Sequence, residues 1–194
     1  MADALTKNAL STLSPLAGAS VAKQAALVVG GSIALAVLSQ ISVPFFPVPM
    51  TLQTLGVLLI GLTFGFRLAT ATLALYIVEG LVGLPVFAGF SSGYAVIVGG
   101  TGGYILGFLV AAAVLGFMAD KGLTKSWTGT ISAVVIGEVI IFGLGCAYLG
   151  YLYGADVAIN AGLLPFIAGD LVKSALAVLL AKGVLKGASR FANL

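Results

Sequence analysis

The chain has 194 residues, of which 60% are hydrophobic and only 8% charged, against about 45–50% apolar and 25% charged in an ordinary soluble domain. That much apolar surface exceeds what one water-soluble core of this length buries, so the sequence reads as an all-α integral membrane protein of one domain. A net charge of +3, no histidine and a single cysteine, Cys146, exclude a disulfide framework, a zinc cluster and a Cys/His nucleophile pair, and nine Lys and Arg scattered singly between apolar spans exclude a nucleic-acid face.

Residues 1–22 read as a short cytoplasmic N-terminal lead. "SPLAGAS" has the small residues of a cleavage site, but "MADALTKNALSTL" before it holds no continuous apolar run, so an uncleaved lead is expected. Residues 23–194 form the membrane domain. About 20 apolar residues cross the hydrocarbon core, and by that measure six helices are predicted near 24–43, 51–66, 68–84, 102–119, 128–151 and 162–183.

In span one, Ala22, Ala26, Gly30 and Ala34 recur every fourth residue. Such small-xxx-small strips let helices approach closely, here either within the chain or against a partner. The link to span two, "FFPVPMTLQTLG", carries Pro47 and Pro49, with Pro44 just before it. Either the prolines start the next helix, where proline is tolerated, or they fold the link back into the bundle and set Thr51, Gln53 and Thr54 at its outer mouth. Irregular backbone at membrane depth survives only where protein or a watered cavity satisfies it. Spans two and three are short and meet at a tight turn, "FGFRLAT", which holds Arg67.

Glu79 lies toward the outer end of span three, as a wetted helix end or a ligand contact. The segment from Gly80 to Gly103 is rich in glycine, with Pro85, Phe87, Phe90 and Tyr94 interleaved and Tyr104 just beyond. Its aromatic content argues against disorder, and the reading is an ordered extracellular cap between helices 3 and 4. Aromatic walls with a few placed polar groups make small-molecule pockets.

Span five starts at Trp127 and ends near Tyr148, Tyr151 and Tyr153, as interfacial aromatic belts do. Glu138 falls near its middle, lining a site or hydrogen-bonding between helices. In span six Asp170 and Lys173 stand at i, i+3 and share a face. A charge at the bilayer centre costs at least about 2.5–3.5 kcal/mol, so neither faces lipid: the pair is either a self-neutralising structural element or part of a binding site.

Lys7, Lys23, Arg67, Lys121, Lys125, Lys182, Lys186 and Arg190 all fall on one side of a six-span topology, and the opposite links carry no Lys or Arg. The positive-inside rule then puts both termini in the cytoplasm. "GGTGG" lacks the Lys-Ser/Thr of a nucleotide loop, so no cofactor is expected in this chain, and no metal. A membrane enzyme would need a nucleophile–base pair that is missing. A proton-coupled secondary transporter remains open, with Glu79, Glu138 and Asp170 as relay groups, although neither a 20–50-residue repeat nor an inverted repeat is visible.

Four stretches in this order, "PVPMTLQTLGVLLIGLTFG", "GLPVFAGFSSG", "GGTGGYILGF" and "AGDLVKSALA", resemble the BioY family of biotin transporters, the substrate-binding S components of energy-coupling factor (ECF) transporters. The resemblance spans nearly the whole membrane part. It implies a six-helix protein of the prokaryotic cell membrane that captures biotin from outside with high affinity. It further implies a membrane coupling protein, met by the strip of Ala22, Ala26, Gly30 and Ala34, and two cytoplasmic ATPase subunits that would use the ATP. Asp170 and Lys173 correspond to ligand contacts, and loop residues near Phe87 and Tyr94 look like the cap over the ligand. Biotin's ureido group, with two N–H donors and a carbonyl, suits an Asp acceptor and a Lys donor on one face; its carboxylate could instead meet Lys173. Its ring and chain would lie against Phe87, Phe90 and Tyr94. An S component for another vitamin is the nearest rival.

Overall fold

The structure, a computed structural model, describes residues 20–192, with side chains through Val184. All but the last three residues of the N-terminal lead lie outside the described residues, as does Lys7. Helix α1 (Val21–Gln40) is capped by Ser20, whose side chain accepts from the Lys23 amide. A two-residue pair of strands follows, β1 (Ser42–Val43) antiparallel to β2 (Met50–Thr51), with Ser42 opposite Thr51. Residues 44–49 loop between them, with a cis Phe46–Pro47 bond. Val48 is buried and Leu52 N–H donates to the Ile41 carbonyl, so the second half of the proline link folds into the protein rather than simply opening the next helix, while Phe45 and Phe46 stay exposed.

Helix α2 (Gln53–Leu81) is two arms. At Gly65 the backbone takes φ 77°, ψ 168°, a region essentially reserved for glycine, and the chain turns back. Gln53 and Tyr76 would stand about 35 Å apart on a straight helix; they are hydrogen-bonded at 2.7 Å. The second and third predicted spans are these two arms, meeting at Gly65 with no intervening loop. Phe66 N–H, freshly exposed at the break, donates to Asp120 at 3.0 Å, a carboxylate where a helix start favours one. Five helices counted by length and apolar composition are therefore consistent with six crossings.

The connection after α2 has structure of its own: a 3-10 turn (Ala88–Phe90), then α3 (Tyr94–Val98). Helices α4 (Gly102–Asp120) and α5 (Trp127–Tyr153) follow, then short α6 (Ala155–Asn160) and the long α7 (Leu164–Ala192), which continues past the predicted end of span six. Small residues set the crossings: Gly107 lies on the backbone of Ile141, and Gly116 on that of Gly65 and Phe66. Without a hydrophobic drive inside lipid, such close backbone approach is what holds membrane helices together.

One end of the bundle gathers cations. Lys182 donates to the carbonyls of Thr124, Lys125 and Ser126 at 2.8–2.9 Å and lies over the Trp127 ring. Trp127 and Tyr148, 21 residues apart on α5, are separated by about 32 Å along the axis, close to the thickness of a hydrocarbon core. Helix α1 is the least buried span. It packs Gly31, Ser32, Leu35 and Ser39 inward and leaves Ala22, Ala26, Gly30 and Ala34 exposed on its other side.

Candidate ligand-binding site

At the end away from the cations the bundle encloses a cavity of about 250 Å³, near the small end of ligand pockets. Four segments supply its wall: the proline link (Pro47, Val48, Pro49), the end of β2 with the start of α2 (Thr51, Gln53, Thr54), the 3-10 turn and its sequel (Phe87, Ala88, Ser91, Val96, Gly99 to Thr101), and the facing helices. From these helices come Tyr104, Ile105, Phe108, Ile141, Phe166 and Lys173.

The polar corner is built around Lys173. Its ammonium pairs with Asp170 one turn earlier and donates to the Thr51 carbonyl at 3.0 Å and to Thr54 Oγ1 at 3.5 Å. Both charges are buried, at 5% and 4% exposure. Removing two charges from water is tolerable only where each finds the other. The Thr51 side chain accepts from Gln53 N–H at 3.2 Å and donates to Gln53 Oε1 at 3.2 Å. Gln53 Nε2 donates to the Tyr76 hydroxyl, which in turn donates to the Val86 carbonyl at 2.9 Å. "TLQT" is thus the polar hinge between α7, α2 and the loop wall.

Aromatic rings make the rest. Phe87 is 2% exposed and meets Tyr76 edge-on at 5.5 Å between centroids. It lies directly over Gly80, where a Cβ would fall on its ring. Tyr104 donates to the Gly162 carbonyl at 2.8 Å and packs against Phe142 and Phe166.

Of the predicted site residues, the structure brings Gln53, Phe87 and Lys173 onto the cavity wall, with Asp170 as the partner of Lys173. Phe90 and Tyr94 point away, 71% and 70% exposed, because the turn at Gly89 and Phe90, with φ of 65° and 56°, swings them outward. Glu79 lies outside the cavity, in a groove beside α1, and accepts from Ser32. Glu138 accepts from Ser174 Oγ at 2.8 Å, a hydrogen bond between α5 and α7. Tyr104, Phe108, Ile141 and Phe166 carry no signal in sequence that sets them apart from other apolar residues. Only Tyr104, beside "GGTGG", stood near a conspicuous stretch.

Residues 6–190 match the model of the BioY family. The chain belongs to the BioY family. This BioY-family chain is 41% identical over 142 residues to the "Biotin transporter BioY" of Thermotoga maritima, covering 73% of this chain and 83% of that one. It is 40% identical over 144 residues to the "Probable biotin transporter BioY" of Pyrococcus horikoshii, covering 74% and 85%. Among solved structures it resembles an S component for biotin from an ECF-type ABC transporter, with a TM-score of 0.76 and 26% identity over 85% of this chain and 92% of that one.

Proposed function

We propose that this chain is the biotin-capturing S component of an ATP-driven vitamin transporter, taking biotin from the extracellular side into the cavity at the cation-poor end of the bundle. The observation that carries this reading is a buried ion pair, Asp170–Lys173, set at the edge of an otherwise largely aromatic and aliphatic pocket in a chain of the BioY family. Biotin matches that division. Its fused rings and aliphatic chain suit Phe87, Tyr104, Phe108 and Phe166, and its polar groups suit the Lys173, Gln53 and Thr54 corner.

The gathering of Lys121, Lys125, Lys182 and Arg67 toward one end supports cytoplasmic termini by the positive-inside rule and an opening toward the outside. The segment from residue 82 to residue 101 would then be the extracellular cap. The chain's relatives support partner modules of the ECF kind: a membrane coupling protein, met by the bare strip Ala22, Ala26, Gly30 and Ala34, and ATPase subunits that consume the ATP.

The test is equilibrium binding of labelled biotin to the detergent-purified protein, with thiamin and riboflavin as competitors. Saturable binding displaced by unlabelled biotin alone is expected. Displacement by another vitamin would reassign the ligand, and a monodisperse, folded sample that binds none of the three would overturn the reading.

A further inference from the structure

Gln40, the last residue of α1, lies outside the cavity, in the groove with Ala36, Val37, Glu79 and Phe90. Its amide nevertheless engages the backbone of the turn that walls the cavity. Nε2 donates to the Phe87 carbonyl at 3.0 Å, and within α1 to Ser39 Oγ at 2.7 Å and the Ala36 carbonyl at 3.2 Å, while Oε1 accepts from Phe90 N–H at 2.9 Å. One side chain so closes a ring across the 3-10 turn. Within that turn Gly89 and Phe90 both adopt left-handed backbone, and a non-glycine residue stays there only where its surroundings hold it. An amide is suited to the task because it offers a donor and an acceptor together; a carboxylate lacks the donor and an ammonium the acceptor. The preceding carbonyl, of Val86, is held twice, by Ser39 Oγ at 2.7 Å and by Tyr76 at 2.9 Å, so losing one donor leaves the other.

Phe87, Ala88 and Ser91 of this turn line the cavity, whereas Gln40 does not reach it. We infer that Gln40 is a positioning residue for the ligand: it fixes the 87–91 turn against the cavity and thereby sets how fast bound ligand escapes. This rests on the biotin reading above. It also ties the cavity wall to α1, the span least buried in the bundle, so a displacement of α1 would carry the turn with it.

The experiment compares wild type, Gln40→Met and Tyr94→Ala in detergent by two measurements: hydrogen exchange over residues 86–91 without ligand, and dissociation of labelled biotin chased with excess unlabelled biotin. Gln40→Met is expected to speed exchange at the turn and to release biotin about tenfold faster, with an association rate changed less than about twofold. Tyr94→Ala, at an exposed side chain beyond the turn, is expected to stay near wild type in both. Faster exchange with unchanged release would overturn the positioning role, and equal acceleration by Tyr94→Ala would overturn the assignment to Gln40. Unchanged exchange in a folded Gln40→Met protein would overturn the latch itself. If Gln40→Met does not fold, Gln40→Glu, which keeps the acceptor for Phe90 and removes the donor to Phe87, is judged by the same outcomes. A wild type that binds no biotin would overturn the functional reading, while the exchange measurement still decides whether Gln40 holds the turn.

Discussion

Lys173 donates to the backbone carbonyl of Thr51 at 3.0 Å across 122 positions of sequence. The ammonium of the last helix therefore holds the link that opens the second span, and the polar corner of the cavity depends on segments far apart in the chain meeting. The same contact makes Lys173 a structural residue and a candidate ligand contact at once, and the two roles can be separated.

Lys173→Met leaves Asp170 buried and uncompensated, a loss of the size of about 3–5 kcal/mol, so the melting temperature in detergent should fall. Adding Asp170→Asn removes the stranded charge and should restore most of that stability. Biotin binding, measured by calorimetry, should remain weakened at least about tenfold in both, since a hydrogen bond to a charged group contributes about 1.5–3 kcal/mol. A double variant that is stable and binds like wild type would leave the pair with a structural role only.

Gly80→Ala should act on the cavity through Phe87. A Cβ at position 80 falls on the ring, and overpacking of this kind typically costs about 1–3 kcal/mol. The ring can relieve it only by leaving its contact with Tyr76, so biotin affinity should drop by a larger factor than for a substitution at exposed Tyr94. Equal effects of Gly80→Ala and Tyr94→Ala on biotin titration would contradict the placement of Phe87 as a wall.

The break at Gly65 should be the least forgiving backbone position. Alanine there meets a strained conformation costing about 1–3 kcal/mol, and its Cβ would also fall on the Asp120 carboxylate. Asp120→Ala removes only the acceptor for Phe66 N–H and should cost about 0.5–2 kcal/mol, as lost helix caps do. Thermal denaturation in detergent should rank Gly65→Ala below Asp120→Ala, and both below wild type.

Gly30→Leu probes the bare strip on α1. Nothing lies within 4 Å of a Cβ built there, so folding and biotin binding by the isolated protein should be unchanged. Uptake by cells carrying the whole transporter should fall severalfold if this strip meets a coupling partner through close helix contact. Wild-type uptake would remove the strip from the proposed interface.

Some of this was legible in the residues alone. The spans followed from apolar length, because a bilayer imposes its thickness on any helix that crosses it. Lys173 stood out because a charge in a span is costly and must be housed, and Gln53 because a polar side chain beside three prolines invited a reason. Glu79 and Glu138 stood out on the same ground, yet the structure sets both off the cavity wall: each accepts from a serine on a neighbouring helix, and Glu138 Oε2 is buried with no hydrogen-bond partner among the described residues. A costly residue signals that something must pair with it, and for Glu79 that partner is a serine rather than a group in the cavity.

The sequence by itself determined the membrane environment of this protein, the apolar stretches long enough to cross it and which polar residues could not face lipid, because these depend on composition and spacing along the chain. The tertiary structure decided which apolar side chains face the cavity. In a chain that is apolar on every side the hydrophobic pattern no longer distinguishes protein from lipid, and Tyr104, Phe108, Ile141 and Phe166 become a wall only through the crossings at Gly107 and Gly145. It also decided that Phe87 turns inward while Phe90 and Tyr94 turn out. That choice rests on a left-handed turn held by Gln40 from a helix some 50 residues earlier, a contact that no local pattern encodes.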